Sequence, residues 1–443
     1  MSSPISARAL LPLALFLLLF LGTGLWFTAQ GHEMAFYQLR APVAILPAIA
    51  LALWLGRRSA PVETLLRGMG DGNVMLMCLI FLLAGAFAQI SKAIGGVDAV
   101  VWLTLSATPP WLALPGLFLV AGFVALAMGT SMGTIAAVAP IALGVAEAAG
   151  IDKALALGAV LSGATFGDNL SVISDTAIAA SRLQGATMRD KFRANFWLAL
   201  PAAIATLVVL GFAGGTGAAP TVPEASPWLA LPYLVVLALA LAGVDVLIVL
   251  GVGIVLAGAF GLAFAADYSV LKFSNDIYAG FEGMVEITLL SILIGGLAAL
   301  MREQGGLAWL SRTIARFSDR HGGRRSGEIS IAALSTLTDA FTANNTVALL
   351  IAGNTARDIA QRHGISPARS ASLLDVYACV TQSVLPYGAQ ILLAASIAKV
   401  SPLAVVGTVH YGWLLAIVAT AAILFGLPRA HAAPHTAPQP QAG

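Results

Sequence analysis

The sequence predicts an all-α polytopic membrane protein with about 12–14 membrane elements, in two inverted-topology repeats with broken or re-entrant helices. Three observations lead there. Hydrophobic residues fill 59% of the 443 positions and charged residues 10%, against about 25% charged in an ordinary soluble domain. Apolar runs such as 9–28, 195–213 and 403–427 match the roughly 20 residues that a spanning helix needs. Polar interruptions, most of them with glycine, cut other apolar runs, at matching places in the two halves of the chain. A segment inside a bilayer must satisfy its own backbone hydrogen bonds, which leaves helices or closed barrels. The alternating pattern of barrel strands is absent.

The elements follow in order. No convincing small-residue cleavage site follows Phe27, so 9–28 reads as a first spanning helix and not as a signal peptide. With 41–56 it makes an N-terminal helical unit, residues 1–69. Runs 73–94, 112–128, 134–149 and 154–181 form a first transport repeat, 70–194. Runs 195–213, 228–242 and 246–266 connect the halves across 195–280, the last two parted only by "GVD" (243–245). Runs 283–301, 329–341, 346–362 and 368–398 form a second, inverted transport repeat, 281–400, and a C-terminal helix occupies 401–428. The Ala- and Pro-rich tail, 429–443, reads as disordered.

Basic residues set the orientation. Arg57, Arg58 and Arg67 form one group, and Arg182, Arg189, Lys191 and Arg193 a second; arginines of 302–325 and of 357–369 form two more. Cytoplasmic loops carry such clusters, so both termini come out cytoplasmic if all fourteen elements cross. Residues 70–96 can be laid on 281–306, and 150–181 on 364–395 without gaps. In the first copy the opening helix leaves a basic loop; in the second the matching helix runs into one. The copies therefore cross in opposite directions, as the inverted repeats of secondary transporters do.

Transporters build their sites at interrupted helices, where helix ends and freed carbonyls face a cavity. Four interruptions fit. "GTSMGT" (129–134), with Thr130 and Ser131, pairs with "TANNT" (342–346), with Asn344, Asn345 and Thr346; "STLTDAF" (335–341) adds Asp339. "GATFGDNLSVISDT" (163–176) holds Asp168, Asn169, Ser171, Ser174, Asp175 and Thr176, and pairs with "TQSVLPYGAQ" (381–390), where Pro386 and Gly388 break the helix. Gln382 falls opposite Asp168 and Gln390 opposite Thr176, with Tyr387 between them. An Asp at the centre of a spanning helix costs about 3 kcal/mol even on lenient insertion scales. Two in one element therefore imply a task. A carboxylate among hydroxyl and amide oxygens is what a hard cation such as Na+ needs, and burial makes a proton an effective competitor for it.

Plainer roles stand beside these. Asp168 and Asp175 can cap half-helices, Asn344 and Asn345 can hold a helix–helix contact, and Asp339 can pair with a basic residue. Glu282, Glu286 and Asp71 sit at segment ends, and Asp375 and Glu147 are weaker candidates still. A net charge of +2 suggests no nucleic-acid partner. Cys78 and Cys379 form neither a disulfide framework nor a metal spacing. An intramembrane enzyme would need a nucleophile–base pair or a metal set, and no HExxH occurs. A channel would not need paired inverted breaks.

"FGDNLSVISDT" (166–176) resembles the GD-K/N-x-S-P-x-S-D-T signature of NhaC-type Na+/H+ antiporters, and 342–353 and 369–394 are similar to that family's second-half segments. The likeness runs from about 70 to 400; Val172 stands where the family usually has Pro. It implies a secondary transporter with paired inverted repeats and an elevator-like movement, with Asp168, Asn169, Ser171, Ser174, Asp175 and Thr176 in ion or substrate binding. Some relatives exchange organic acids or carry amino acids, and the amides of the second half suit such solutes as well. The expected function is secondary active transport in the cell inner membrane: cytoplasmic Na+ exchanged for external H+, with Asp168 and Asp175 as exchanging carboxylates and Na+ ligands. The alternative is a Na+- or H+-coupled carrier of an amino acid or small organic acid. A Lys or Arg inside a break would favour that alternative, and the sequence reading finds none. The lipid bilayer is the expected environment, a homodimer one expected assembly, and no resident cofactor is expected.

Overall fold

The computed structural model describes residues 6–32, 35–57, 60–107, 109–171, 174–213, 226–265 and 267–427. The tail expected to be disordered and Val172 lie outside them. Among the described residues every regular element is helical. The chain runs α1 (Leu11–Ala29), α2 (Ala41–Ala44), α3 (Leu46–Leu55), α4 (Pro61–Met69), α5 (Gly72–Ala93) and α6 (Gly96–Ala107). Next come α7 (Ala113–Met128), α8 (Ser131–Ala149), α9 (Lys153–Leu170), α10 (Asp175–Gln184) and α11 (Met188–Ala213), then α12 (Leu231–Leu241) and α13 (Val246–Phe264). The second half holds α14 (Val270–Glu303), α15 (Gly306–His321), α16 (Gly323–Thr342), α17 (Asn345–Arg362), α18 (Pro367–Val384) and α19 (Ala389–Ala398). The chain closes with α20 (Pro402–Thr408) and α21 (His410–Phe425).

Eight helical stretches among the described residues are long and apolar enough to cross a membrane, or nine if α20 and α21, bent by 54°, count as one span. The run 228–266 is two helices, parted at the expected "GVD". Two expectations change. The C-terminal apolar run is not one helix but breaks at Val409. The basic stretch 302–325, read as a loop, contains α15. Its Arg312, Arg316 and Arg320 recur every four residues on the exposed face, while Leu307, Leu310 and Ile314 are buried on the other. Period 3.6 with a polar face is amphipathic helix, not loop.

The breaks repeat in detail. α7 ends on Gly129 in the left-handed region (φ 66°, ψ 21°), Thr130 is extended (φ −146°, ψ 124°), and α8 begins. α16 ends on Ala343 (φ 49°, ψ 28°), Asn344 is extended (φ −150°, ψ 109°), and α17 begins. Left-handed φ is free for Gly129 and strained for Ala343. The gap-free register that lays residue 150 on 364 also lays Gly129 on Ala343, the start of α9 on that of α18, and the start of α10 on that of α19.

Packing gives the directions. A Cβ on Gly163 would strike Phe118 O, and one on Gly167 would strike Gly122 O; further along, Ser171 Oγ donates to Leu126 O at 3.2 Å. α7 and α9 therefore run parallel, with α8 returning between their ends. In the second half Arg369 meets Glu328, Ser335 Oγ donates to Leu374 O, and Gln382 Nε2 donates to Ala343 O. α16 and α18 are thus parallel too, with α17 returning. α8 runs alongside α19, since Ser131 meets Gln390 at one end and Glu147 lines a cavity with Lys399 at the other. α9 reverses α8, and α19 continues α18 in one apolar stretch. α9 and α18 accordingly run in opposite directions. The two glycines let α7 and α9 meet backbone to backbone. Gly167→Leu is expected to destabilise by about 3 kcal/mol, the upper end of overpacking costs, seen as a lower melting temperature of the purified protein; unchanged melting would contradict this packing.

Candidate ion and substrate site

Asp168 occupies the last turn of α9 and is 5% exposed. An acid at a helix C-terminus faces the negative end of its own helix dipole, so its support must come from elsewhere. Ser174, the N-cap residue of α10, donates its hydroxyl to Asp168 Oδ1 at 2.5 Å. Ser174 and Thr176 share a second hydroxyl bond of 2.8 Å. Ser131, the first residue of α8, faces the same carboxylate and accepts from Gln390 Nε2 at 2.7 Å. The N-terminal ends of α8 and α10 thus converge on Asp168, and the positive ends of their dipoles suit an anion there. Gln390 brings the second half into contact with this cluster. No basic side chain lies within salt-bridge distance of Asp168 among the described residues.

Beside it lies a polar cluster in which Asn169 and, more weakly, Asp375 were expected from the sequence and Lys191 and Asn195 were not. Lys191 of α11 is 1% exposed and pairs with Asp375 of α18 at 2.7 Å. Asp375 Oδ2 also accepts from Asn195 Nδ2 at 2.8 Å and from Asn169 Nδ2 at 3.3 Å. Lys191 Nζ and Asn195 Nδ2 both donate to Asn169 O, at 3.2 and 2.8 Å. Asn169 O is among the carbonyls that the end of α9 leaves without an intrahelical partner, so the cluster caps the broken helix. Lys191, grouped with cytoplasmic loop charges by sequence, is therefore a buried cation at a break. The available signal was Lys191 and Asn195 at i, i+4, on one face of a helix.

In the second half Asp339 is fully buried in the last turn of α16, and neither carboxylate oxygen has a hydrogen-bond partner. Gln382 Nε2 donates to Ala343 O at 3.4 Å, and Tyr387 OH to Ala340 O at 2.6 Å. Asn344 caps α17 by accepting from Val347 N at 3.0 Å, and Asn345 Oδ1 accepts from Thr346 N at 3.1 Å. Asn344 and Asn345 thus make local bonds at the start of α17, and neither makes the helix–helix contact expected as their plainer role through these bonds. Thr130 is half-buried and its carbonyl accepts from the Thr134 hydroxyl at 2.9 Å. Asp175 is exposed in the first turn of α10, apart from the buried group around Asp168. Asp71 caps α5, Glu147 pairs with Lys153, and Glu286 lies 4.0 Å from Arg40. A cavity of about 570 Å³ between α5, α6, α8, α14 and α19 is lined by Gln89, Lys92, Asp98 and the weaker candidate Glu147, and by none of the residues of the four breaks.

Buried polar groups gathered at broken helices of a membrane bundle are the arrangement in which transporters build their sites. The chain belongs to the Na+/H+ antiporter family, whose model matches residues 10–215 and 218–427. It is 28% identical over 283 residues to the Na+/H+ antiporter NhaC of Bacillus subtilis, covering 58% of this chain and 61% of that protein. It is 35% identical over 151 residues to the malate-2H+/Na+-lactate antiporter of the same organism, covering 33% of this chain and 32% of that protein. Over 365 residues it is 25% identical to the arginine/ornithine antiporter ArcD of Halobacterium salinarum, covering 74% and 73% of the two chains. The match spans less than two thirds of the first two relatives. Those three share antiport by name and differ in cargo.

Proposed function

We propose that this transporter exchanges cytoplasmic Na+ for external H+ across the cell inner membrane, with Asp168 as the exchanging carboxylate. The observation that carries the reading is the setting of Asp168. It is buried, faced by the hydroxyls of Ser131 and Ser174 at two helix N-termini, and forms no ion pair with a basic side chain among the described residues, whereas the neighbouring Asp375 is neutralised by Lys191. A single negative charge among neutral oxygens suits one monovalent cation or one proton, and competition between them for one carboxylate is antiport. Asp175, exposed at the approach to the buried hydroxyls, serves in this reading to attract the cation and not to hold it. The opposed directions of α9 and α18, with the matched breaks, support inverted repeats and alternating access.

The second reading, a coupled carrier of an amino acid or organic acid, has its support in the extended likeness to the arginine/ornithine antiporter. The buried amides of Gln382 and Gln390, each with an unpartnered Oε1, also fit it. Lys191 does reach a break, but Asp375 occupies its ammonium, so it does not present a free charge to a substrate carboxylate. The test is purified protein in liposomes with an imposed pH gradient and a pH dye, challenged in turn with Na+, Li+, K+, arginine, malate and lactate. Na+ or Li+ alone is expected to collapse the gradient. Collapse by an organic solute and by no cation would transfer the scaffold to the second reading.

A further inference from the structure

We propose that Asp339 is a second site where a monovalent cation displaces a proton on binding, set in the second half of the chain; binding there does not need Asp168, whereas transport across the membrane does. The proposal rests on the antiport reading for the identity of the ions. Asp339 is 0% exposed, and both of its carboxylate oxygens lack a hydrogen-bond partner. Such a group is rare, because burying a charge without a donor or counter-charge costs several kcal/mol. Asp339 therefore carries its negative charge only together with a bound cation. Two further buried oxygens on the elements at this break also lack a hydrogen-bond partner. Thr338 Oγ1, on the adjoining residue, and Gln382 Oε1 are both buried and unbonded. Gln382 reaches Asp339 through the turn: its amide donates to Ala343 O, and Ala343 N donates to Asp339 O at 2.7 Å.

The charge of the set selects the ion. One carboxylate with neutral hydroxyl and amide oxygens balances a single positive charge, and oxygen donors suit hard cations. No group of three or more His, Cys, Asp or Glu side chains among the described residues is placed to hold a multivalent metal. The neighbours supply no rival base. α16 packs on α14, α15, α17, α18 and α21. Tyr387, between α18 and α19, has its hydroxyl committed to Ala340 O. Asp375 and Arg369 of α18 are held by Lys191 and Glu328, Arg362 of α17 by Asp319. Arg302 of α14, Arg312, Arg316 and Arg320 of α15, and Arg357 and Asp358 of α17 are exposed. His410 and Tyr411 of α21 neither hydrogen-bond to the Asp339 carboxylate nor form an ion pair with it. The step balances simply. The O–H bond of the acid breaks as Na+ binds its oxygens, and the proton leaves to water.

The experiment reads proton release when NaCl is added to the purified protein in detergent and weak buffer, with choline chloride as the ionic control. The native chain is expected to release about twice as many protons as Asp339→Asn, and about twice as many as Asp168→Asn, with none from the double variant. Asp339→Asn is isosteric and neutral, so native melting is expected; Asp339→Thr is run beside it and should give the same halving. Release from both Asp339 variants equal to native, and abolished in Asp168→Asn, would overturn the second site and leave Asp168 standing. Release abolished by the Asp339 variants and intact in Asp168→Asn would uphold Asp339 and overturn the reading of Asp168. No release from the native chain would overturn both.

Discussion

Asp168→Asn is expected to reduce Na+-dependent proton exchange by about 100-fold or more, equivalent to roughly 2.7 kcal/mol, while the protein inserts and melts as the native chain does. The physical reason separates function from folding. Asn keeps the shape of Asp and an oxygen to accept the Ser174 hydroxyl, which now bonds Oδ1 at 2.5 Å. It also relieves the burial of a carboxylate in the last turn of α9, so the fold loses little. What disappears is the one charge in that cluster without a fixed counter-charge, and with it the ability to trade a proton for a cation. Exchange is measured in proteoliposomes and folding by thermal melting of the same preparation. Near-native exchange in a well-folded variant would remove Asp168 from the mechanism.

The second large effect belongs to the ion pair next door. Lys191→Gln or Asp375→Asn alone is expected to destabilise by about 3–5 kcal/mol, because each leaves a buried charge uncompensated. The double variant Lys191→Gln/Asp375→Asn should recover most of that loss, since no unpaired charge remains. Asp375 Oδ2 also takes bonds from Asn195 and Asn169, and Lys191 helps cap Asn169 O. The single variants therefore loosen the break between α9 and α10 as well as the contact of α9 with α18. The melting temperatures of the three variants form a double-mutant cycle. Additive losses, with the double variant worst of all, would mean that the two groups act separately.

How much of this was legible in the sequence depends on the kind of signal. The breaks at 129–134 and 342–346 could be read because polar residues, joined by glycine in the first, interrupt apolar runs, and their pairing followed from spacing alone. That Asp168 is buried while Asp175 is exposed could not be read. Seven positions on, across two extended residues and a new helix start, the face that a side chain takes is set by tertiary packing. Lys191 was misread because a basic residue just before an apolar run counts as a loop charge, and only its partner on α18 reveals otherwise. Asp375, 184 positions away in sequence, carries no local mark of that partnership. α15 was missed for a related reason: its arginines lower the mean hydropathy, while the helical spacing of Leu307, Leu310 and Ile314 held the information. Val409 breaks the last helix without a Gly or Pro at the bend, and composition gave no warning of it.

The most direct test of the central claim, that one proton and one Na+ compete for Asp168, is the apparent KM for Na+ measured in proteoliposomes across a series of pH values. Competition predicts that protons occupy a growing share of the sites as pH falls. On the acid side KM should rise by about tenfold per pH unit while the maximal rate holds. A KM that stays constant while the maximal rate falls with pH would contradict the claim, because protons would then act somewhere other than the cation's own ligand.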